Sequence, residues 1–418
     1  MKIISDYLEN RTLGNILFED IPAKDTGIII IIPAFDEPGI IFTLDSLHAC
    51  KKPPCNIEIL VLVNAPSRAT EAQVLQNTIS CEEMAGWKNE NKEDSVNLLY
   101  HNAGIRQEKQ WGVGMARKTL MDEALRRFSL INNPGGVIAS LDADCLVADD
   151  YLLELYNRLY CSEKHKACSI YFEHPLEGDL KPELYEAIAG YELHLRYYYQ
   201  GLKYTGFPRV FQTIGSAIAV KAEHYARAGG MNKRQGAEDF YFIQKVLPAG
   251  GYFYLNTTTV IPSPRISGRV PFGTGPMMAK MTGGDDLYLY TYNPSAFDYL
   301  KMLFDNIDLL YEDRPGLSES FFDQLHVSMR HFLENNDWQV KIREIRNNTS
   351  SPVSFKKRFY NWFNMFRIVK YLNFIHSNDY LEKIPVEKAA KEFLEKIACE
   401  FSAGSLKELL KIYREMEK

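Results

Sequence analysis

The sequence predicts an α/β fold for residues 27–285, a mostly parallel sheet with helices on both faces, followed by a helical C-terminal region over 286–418. Three observations carry that expectation. Short continuous apolar runs recur along the first part of the chain, as strands buried on both faces require. Segments with helical spacing separate them, which is the alternation of a doubly covered parallel sheet. From about residue 285 the strand-like runs stop, and segments such as "AFDYLKMLFDNIDLLY" (296–311) and "KAAKEFLEKIACEF" (388–401) keep the helical period.

The elements follow in order after a short N-terminal arm, 1–26. "GIIIII" (27–32) reads as a strand and "GIIFTLDSLHAC" (39–50) as a helix. "IEILVLV" (57–63) is a strand, with a helical stretch near 69–85. "SVNLLY" (95–100) is a strand, followed by a helix over 113–128, and "GVIASL" (136–141) is a strand, followed by a helix from about Asp150. The turn "NNTSSP" (347–352) is a candidate divider of the helical region. In "FKKRFYNWFNMFRIVKYL" (355–372), Phe355, Phe359, Trp362, Phe363 and Phe366 fall on one helical stripe. Such a stripe is usually the buried face of a bundle helix. With Lys356, Lys357 and Arg358 beside it, the alternative is peripheral contact with an anionic membrane.

The 418 residues suffice for two or three domains and a sizeable core. A hydrophobic share of 46% and a charged share of 24% are those of an ordinary globular protein. The net charge of −6 offers no global signature of nucleic-acid binding. Seven cysteines, at 50, 55, 81, 145, 161, 168 and 399, are odd in number and irregular in spacing, so neither a disulfide framework nor a zinc site is indicated. The N-terminus "MKIISDYLENRTLG" carries charges where a signal peptide has its apolar core. The run "GIIIIIPAF" is far shorter than the roughly 18–20 residues of a membrane span. The expected setting is a reducing cytoplasm.

Ligands of open α/β sheets bind outside the carboxyl ends of the strands. Asp36 and Glu37 follow the first strand, Asn64 the second, and Asp142 and Asp144 the fourth, all on that edge. In "SLDADC" an extended backbone turns Asp142 and Asp144 to the same side, where two like charges need a cation. Hard oxygen ligands suit Mn2+ or Mg2+ completed by substrate phosphates. The plainer reading makes both aspartates turn residues, with Asp149 and Asp150 as caps of the next helix.

"IIIPAFDEPGIIFTLDSL", "SLDADC", "GSAIAVKAEHYARAGGM" and "GAEDF", in that order, resemble the family 2 glycosyltransferases over roughly residues 27–275. The resemblance implies a GT-A (Rossmann-like) fold, a nucleotide-sugar donor and a divalent metal. It implies that Pro33, Phe35, Asp36 and Glu37 belong to the nucleotide-binding turn, with Phe35, Asp36 and Glu37 contacting base and ribose. It assigns Asp142, Ala143 and Asp144 to ribose and the metal-bound diphosphate, and Asp239 to the role of base in an inverting transfer. Two departures stand out. Phe35-Asp36-Glu37 replaces a common Tyr-Asn-Glu, and Asn64 stands where many members have an aspartate that reads the base. The Gln-x-x-Arg-Trp motif of processive synthases is absent, which favours transfer of a single sugar.

The remaining candidates surround this set. Glu238 and Asp239 open a helix, where acids also complement the helix dipole; catalysis would use Asp239 to take the acceptor proton and Glu238 to orient the acceptor. Gly215 and Ser216 let backbone approach a sugar or simply turn into a strand. The stretch 261–280, rich in proline and glycine and free of acids, carries Arg265, Arg269 and Lys280. It is expected to close as a lid on a diphosphate, or else to be a solvated connector. "WGVGMARK" places Gly112, Gly114, Arg117 and Lys118 before a helix, with Arg117 either a phosphate ligand or a solvated side chain. A retaining transferase, a sugar-nucleotide pyrophosphorylase and a non-catalytic nucleotide- or glycan-binding protein are the alternatives. The acceptor, whether glycan, lipid-linked or small molecule, is not encoded in any motif.

Overall fold

The computed structural model describes residues 1–12, 16–92, 95–107, 111–233, 236–267, 274–283, 289–312 and 317–418. They form two compact units, one of Met1–Ile188, Phe211–Gly283 and Glu417–Lys418, the other of Ala189–Val210 and Gly284–Met416.

The first unit is built on an eight-stranded sheet. Its strands are β1 (Thr26–Ala34), β2 (Asn56–Pro66), β3 (Val96–Arg106), β4 (Val137–Ser140), β5 (Cys145–Val147), β6 (Ala167–Phe172), β7 (Ile218–Lys221) and β8 (Tyr252–Pro262), in the order β3-β2-β1-β4-β7-β6-β8-β5. The predicted α/β class is the one observed. Four pairings are parallel, β3-β2, β2-β1, β1-β4 and β6-β8, and three are antiparallel. All nine residues of β1 are buried, as expected of a strand covered on both faces.

The helices α1 (Lys2–Arg11), α2 (Ile40–Ala49), α3 (Glu71–Glu90) and α4 (Val113–Leu130) come next, the last three as crossovers between parallel strands. From β1 the chain steps outward to β2 and β3, then returns through α4 to β4 on the other side of β1. With right-handed crossovers this reversal puts α4 on the face opposite α2 and α3. It also opens a crevice at the carboxyl ends of β1 and β4, the switch point where such sheets bind ligands. Buried polar pairs fix α4: Arg127 donates to both carboxylate oxygens of Glu58 on β2, each at 2.6 Å. The N-terminal arm is helical in α1, whose Tyr7 hydroxyl and Lys118 on α4 both donate to Asp122, at 2.8 Å each.

The sheet must curl. β4 and β5 sit four positions apart in strand order, which in a flat sheet is about 19 Å at the usual strand spacing. Only residues 141–144 join them, and the Cys145 N–H donates to the Asp142 carbonyl at 3.1 Å, closing a turn. An extended pair of steps plus a turn reaches about 14 Å at most. The strands β7, β6 and β8 therefore bend round to bring β5 back, and Thr43 on α2 donates to the Ala143 carbonyl at 2.9 Å.

This geometry corrects two expectations. The Asp142–Asp144 segment is a turn rather than an extended strand end, because the chain must leave the sheet within four residues. The helix after it starts at Tyr151 as α5 (Tyr151–Glu154), but Asp149 and Asp150 make no capping bond. Asp150 accepts from the Thr258 hydroxyl at 2.5 Å and Asp149 pairs with Lys51 at 3.0 Å. Beyond it lie α6 (Pro182–Tyr204), α7 (Ala222–Arg227), α8 (Glu238–Val246) and α9 (Thr274–Thr282).

The second unit contains nine further helices among the described residues, from Ser295–Asp305 to Leu406–Glu415. The strands expected to be absent there return as one short antiparallel pair, β9 (Tyr290–Thr291) with β10 (Ile384–Pro385). The turn at 347–352 joins two helices within this unit, and Ser351 caps the second of them. The aromatic stripe lies on two helices, Pro352–Trp362 and Met365–Ser377, because Asn364 starts a new one by capping the Arg367 N–H at 3.2 Å. Phe355, Phe359 and Phe363 are fully buried, as a core stripe requires, whereas Phe366 faces outward. Among the described residues no helix is long and apolar enough to cross a membrane.

Candidate active site

The crevice at β1 and β4 is lined first by the turn after β1. Pro33 is still inside that strand, paired with Leu62, and Phe35 and Asp36 follow. Asp36 adopts a left-handed backbone (φ 51°), a conformation that aspartate tolerates at some cost. Two amides on α3, the buried Asn77 and the half-buried Gln73, hold it there. Asn77 accepts from the Asp36 N–H at 2.9 Å and donates to the Asn64 carbonyl at 3.0 Å, while Gln73 donates to the Asp36 carboxylate at 3.1 Å. The buried Glu37 accepts from the Gly39 N–H at 2.9 Å. Asn64 is also buried. Its amide donates to the Ala34 carbonyl at 3.1 Å and accepts from the Trp111 indole at 2.8 Å, so here it braces the crevice wall.

Two arginines organise the carboxylates. Arg117, on α4, is 2% exposed, so the solvated reading is wrong. Its guanidinium donates to the Ser140 hydroxyl at 3.0 Å, to Asp142 at 2.7 Å and to the buried Glu238. Burial works against its charge, but Asp142, Glu238 and Asp239 together raise its pKa above the ordinary arginine value. Arg265 bridges Glu37 and Asp144, the latter at 3.1 Å. Burial opposes that charge too, but Glu37 and Asp144 together outweigh it and raise the pKa above the ordinary arginine value. The side chains of Asp142 and Asp144 keep 38% and 24% of their surface open to solvent.

Glu238 and Asp239 begin α8 after Ala237, which is left-handed (φ 56°). The two acidic tracts thus share a backbone feature that costs free energy and clusters at functional sites. Burial raises the pKa of both carboxyls, with neighbouring acids adding to it and Arg117 opposing it. Asp239 Oδ1 accepts from the Phe240 N–H at 2.7 Å. Glu238 is turned to Arg117, so its visible task is to hold that guanidinium. Gly215 fits against Arg117: a Cβ there would lie 2.8–2.9 Å from the guanidinium atoms. Ser216 is buried and hydrogen-bonded to the Cys145 thiol, whose pKa burial pushes far up. Lys118 points away, to Asp122 and Tyr7. Arg269 lies outside the described residues, and Lys280 is in α9.

The donor set fits a divalent cation of modest protein ligation. Asp142 and Asp144 offer hard oxygens in one turn, as Mn2+ or Mg2+ sites completed by phosphates do. Among the described residues no group of three or more His, Cys, Asp or Glu is gathered to hold a metal, so the protein's share would be these two carboxylates.

Reasoning from sequence missed the braces Gln73, Asn77, Ser140 and Trp111. Only Gln73 had a local signal, the Thr70–Gln73 capping box of α3.

No family model matches the chain, and no curated protein matches it. Solved structures do resemble it. TarS of S. aureus (1–349, with UDP-GlcNAc) is 10% identical, with 81% of this chain and 91% of that one covered at a TM-score of 0.41. Mannosyltransferase PcManGT from Pyrobaculum calidifontis, with GDP-Man and Mn2+, is 13% identical over 99% and 92% at 0.37. Glucosyl-3-phosphoglycerate synthase from Mycobacterium tuberculosis, with UDP, is 14% identical over 68% and 82% at 0.33.

Proposed function

We propose that the sheet unit is a GT-A type glycosyltransferase domain that moves a single sugar from a nucleotide-diphosphate sugar to an acceptor hydroxyl, with inversion. The observation that carries this reading is the pair of guanidinium bridges, Arg117 to Asp142 and Glu238, and Arg265 to Glu37 and Asp144. They gather four carboxylates from three separate tracts at one switch point and show that positive charge is accommodated there.

In this reading the turn Phe35–Glu37 takes the nucleoside, and Asp142, Ala143 and Asp144 face ribose and diphosphate. A divalent cation held by Asp142 and Asp144 would supply charge neutralisation for the leaving diphosphate. Arg265 and Arg269 would give bidentate donors to phosphate oxygens and exclude water as the stretch that follows β8, which ends at Pro262, closes. Arg117 fixes Asp142 and Glu238 together, and Gly215 and Ser216 line the sugar. Asp239 takes the proton as the acceptor oxygen bonds to the anomeric carbon and the bond to the diphosphate breaks. Its raised pKa improves it as a base. The seven free cysteines suit a reducing cytoplasm.

A screen of nucleotide sugars by calorimetry, with Mn2+, with Mg2+ and with chelator, tests the reading. Metal-enhanced binding of one nucleotide class is expected. Absence of binding to every nucleotide sugar under all three conditions overturns it.

A further inference from the structure

Residues 352–372 carry five basic side chains, Lys356, Lys357, Arg358, Arg367 and Lys370, and no acid, in a chain whose net charge is −6. The two helices of this stretch bury Phe355, Phe359, Phe363, Ile368 and Leu372. Their other face is different. Val353 is 79% exposed and Phe366 39% exposed, and Lys357, Arg358 and Lys370 are exposed beside them. The spacing makes neighbours, since Val353 and Lys357, Arg358 and Trp362, and Phe366 and Lys370 are each four apart on a helix. The helices are joined across their break by the Arg367 guanidinium, 4.3 Å from the Trp362 ring centre, while the Lys370 ammonium lies 4.7 Å over Phe366.

The bases here are underpaired. Lys356 has a carboxylate partner, Asp308 at 2.8 Å. Arg367 Nη1 is buried without a hydrogen-bond partner among the described residues, and burial lowers the Arg367 pKa with no acid opposing it. Arg209 next to the patch donates to a neutral amide, Asn361 Oδ1, at 2.6 Å.

We infer that this face of the helical unit docks on an anionic phospholipid bilayer. Headgroup phosphates meet the exposed Lys357, Arg358 and Lys370, while Phe366 and Val353 enter the headgroup–acyl boundary, as interfacial helices do. The exposed aliphatic Val353, which has no ring to stack on a base, and the net charge of −6 weigh against nucleic acid. Charge complementarity decides against an apolar partner. The inference stands independently of the transferase reading.

The test is co-sedimentation of the full chain with vesicles of phosphatidylcholine alone or mixed with phosphatidylglycerol. Binding is expected to the mixed vesicles and to weaken with salt. The triple variant Lys357→Glu/Arg358→Glu/Lys370→Glu should bind at least about tenfold more weakly, and Phe366→Ser several-fold more weakly, with unchanged melting temperatures showing intact folds. Equal partition to both vesicle types, no binding to the mixed vesicles, or wild-type binding by the triple variant would each overturn the inference. So would concentration-dependent self-association that Phe366→Ser abolishes while vesicle binding is absent, which would assign the face to a second copy.

Discussion

Arg117 Nη2 lies 2.7 Å from Asp142 Oδ1, and the other terminal nitrogen of the same guanidinium holds Glu238. One buried side chain on α4 therefore ties the turn after β4 to the start of α8. Positions 25 and 121 residues away in sequence share one charge.

Breaking that tie leaves a buried carboxylate unpaired. Arg117→Met is expected to destabilise the sheet unit by roughly 3–5 kcal/mol in urea unfolding. Arg117→Met/Glu238→Gln should recover much of the loss, because it removes the charge as well as its partner. If the double variant is as unstable as the single, the pair is not what holds the two tracts.

Asp144→Ala should abolish the gain in nucleotide affinity that Mn2+ or Mg2+ gives, while the chain melts as before. Calorimetry with metal and with chelator reads this directly. Equal affinities for the unsubstituted chain under both conditions would end the case for a metal at Asp142 and Asp144.

Asp239 separates binding from chemistry. Asp239→Asn should keep donor affinity and lower single-turnover transfer by roughly 10²–10⁴. Because its pKa is raised by burial, the proton leaves only as pH climbs above the ordinary aspartate range, so transfer should rise with pH along a limb placed above that range. Arg117 lowers this pKa, so Arg117→Met should move the same limb to higher pH. A limb that stays in place with Arg117 removed would detach Asp239 from the network.

Gly215→Ala places a methyl 2.8–2.9 Å from a guanidinium already fixed by three acceptors. The expected cost is about 1–3 kcal/mol in stability, with transfer impaired. Gly86→Ala, in the C-terminal part of α3 with nothing within 4 Å of the new atom, should instead gain about 0.5–1 kcal/mol. Thermal melts of the two variants give the comparison.

Trypsin should cut after Arg265 in the ligand-free chain, and nucleotide with metal should protect that bond. Identical cleavage with and without ligand would make 261–280 a static connector.

Much of the sheet was legible because parallel strands under two layers of helix read as unbroken apolar runs, as β1 and β2 do. β7 could be read as the strand after Gly215 and Ser216, but β5, with three residues, is too short to show a period, and the antiparallel direction of both has no local signal. The candidate acids were visible because they follow buried strands. What each touches was not. Asn77 looks like any polar helix residue until α3 carries it to Asp36, and Arg117 looks solvated until α8 brings Glu238 over it. The turn at Asp142 was legible only as the plainer of two readings, because its cause is the distant edge strand.

The four-residue link between β4 and β5 has a consequence for what the chain can tolerate. It has to close a turn while joining a central strand to the far edge of a bent sheet. Replacing one of its side chains alters chemistry and leaves the architecture standing. Deleting a residue would pull β5 off β8 or drag β4 out of register. Residues 141–144 should therefore accept changes of identity far more readily than changes of length.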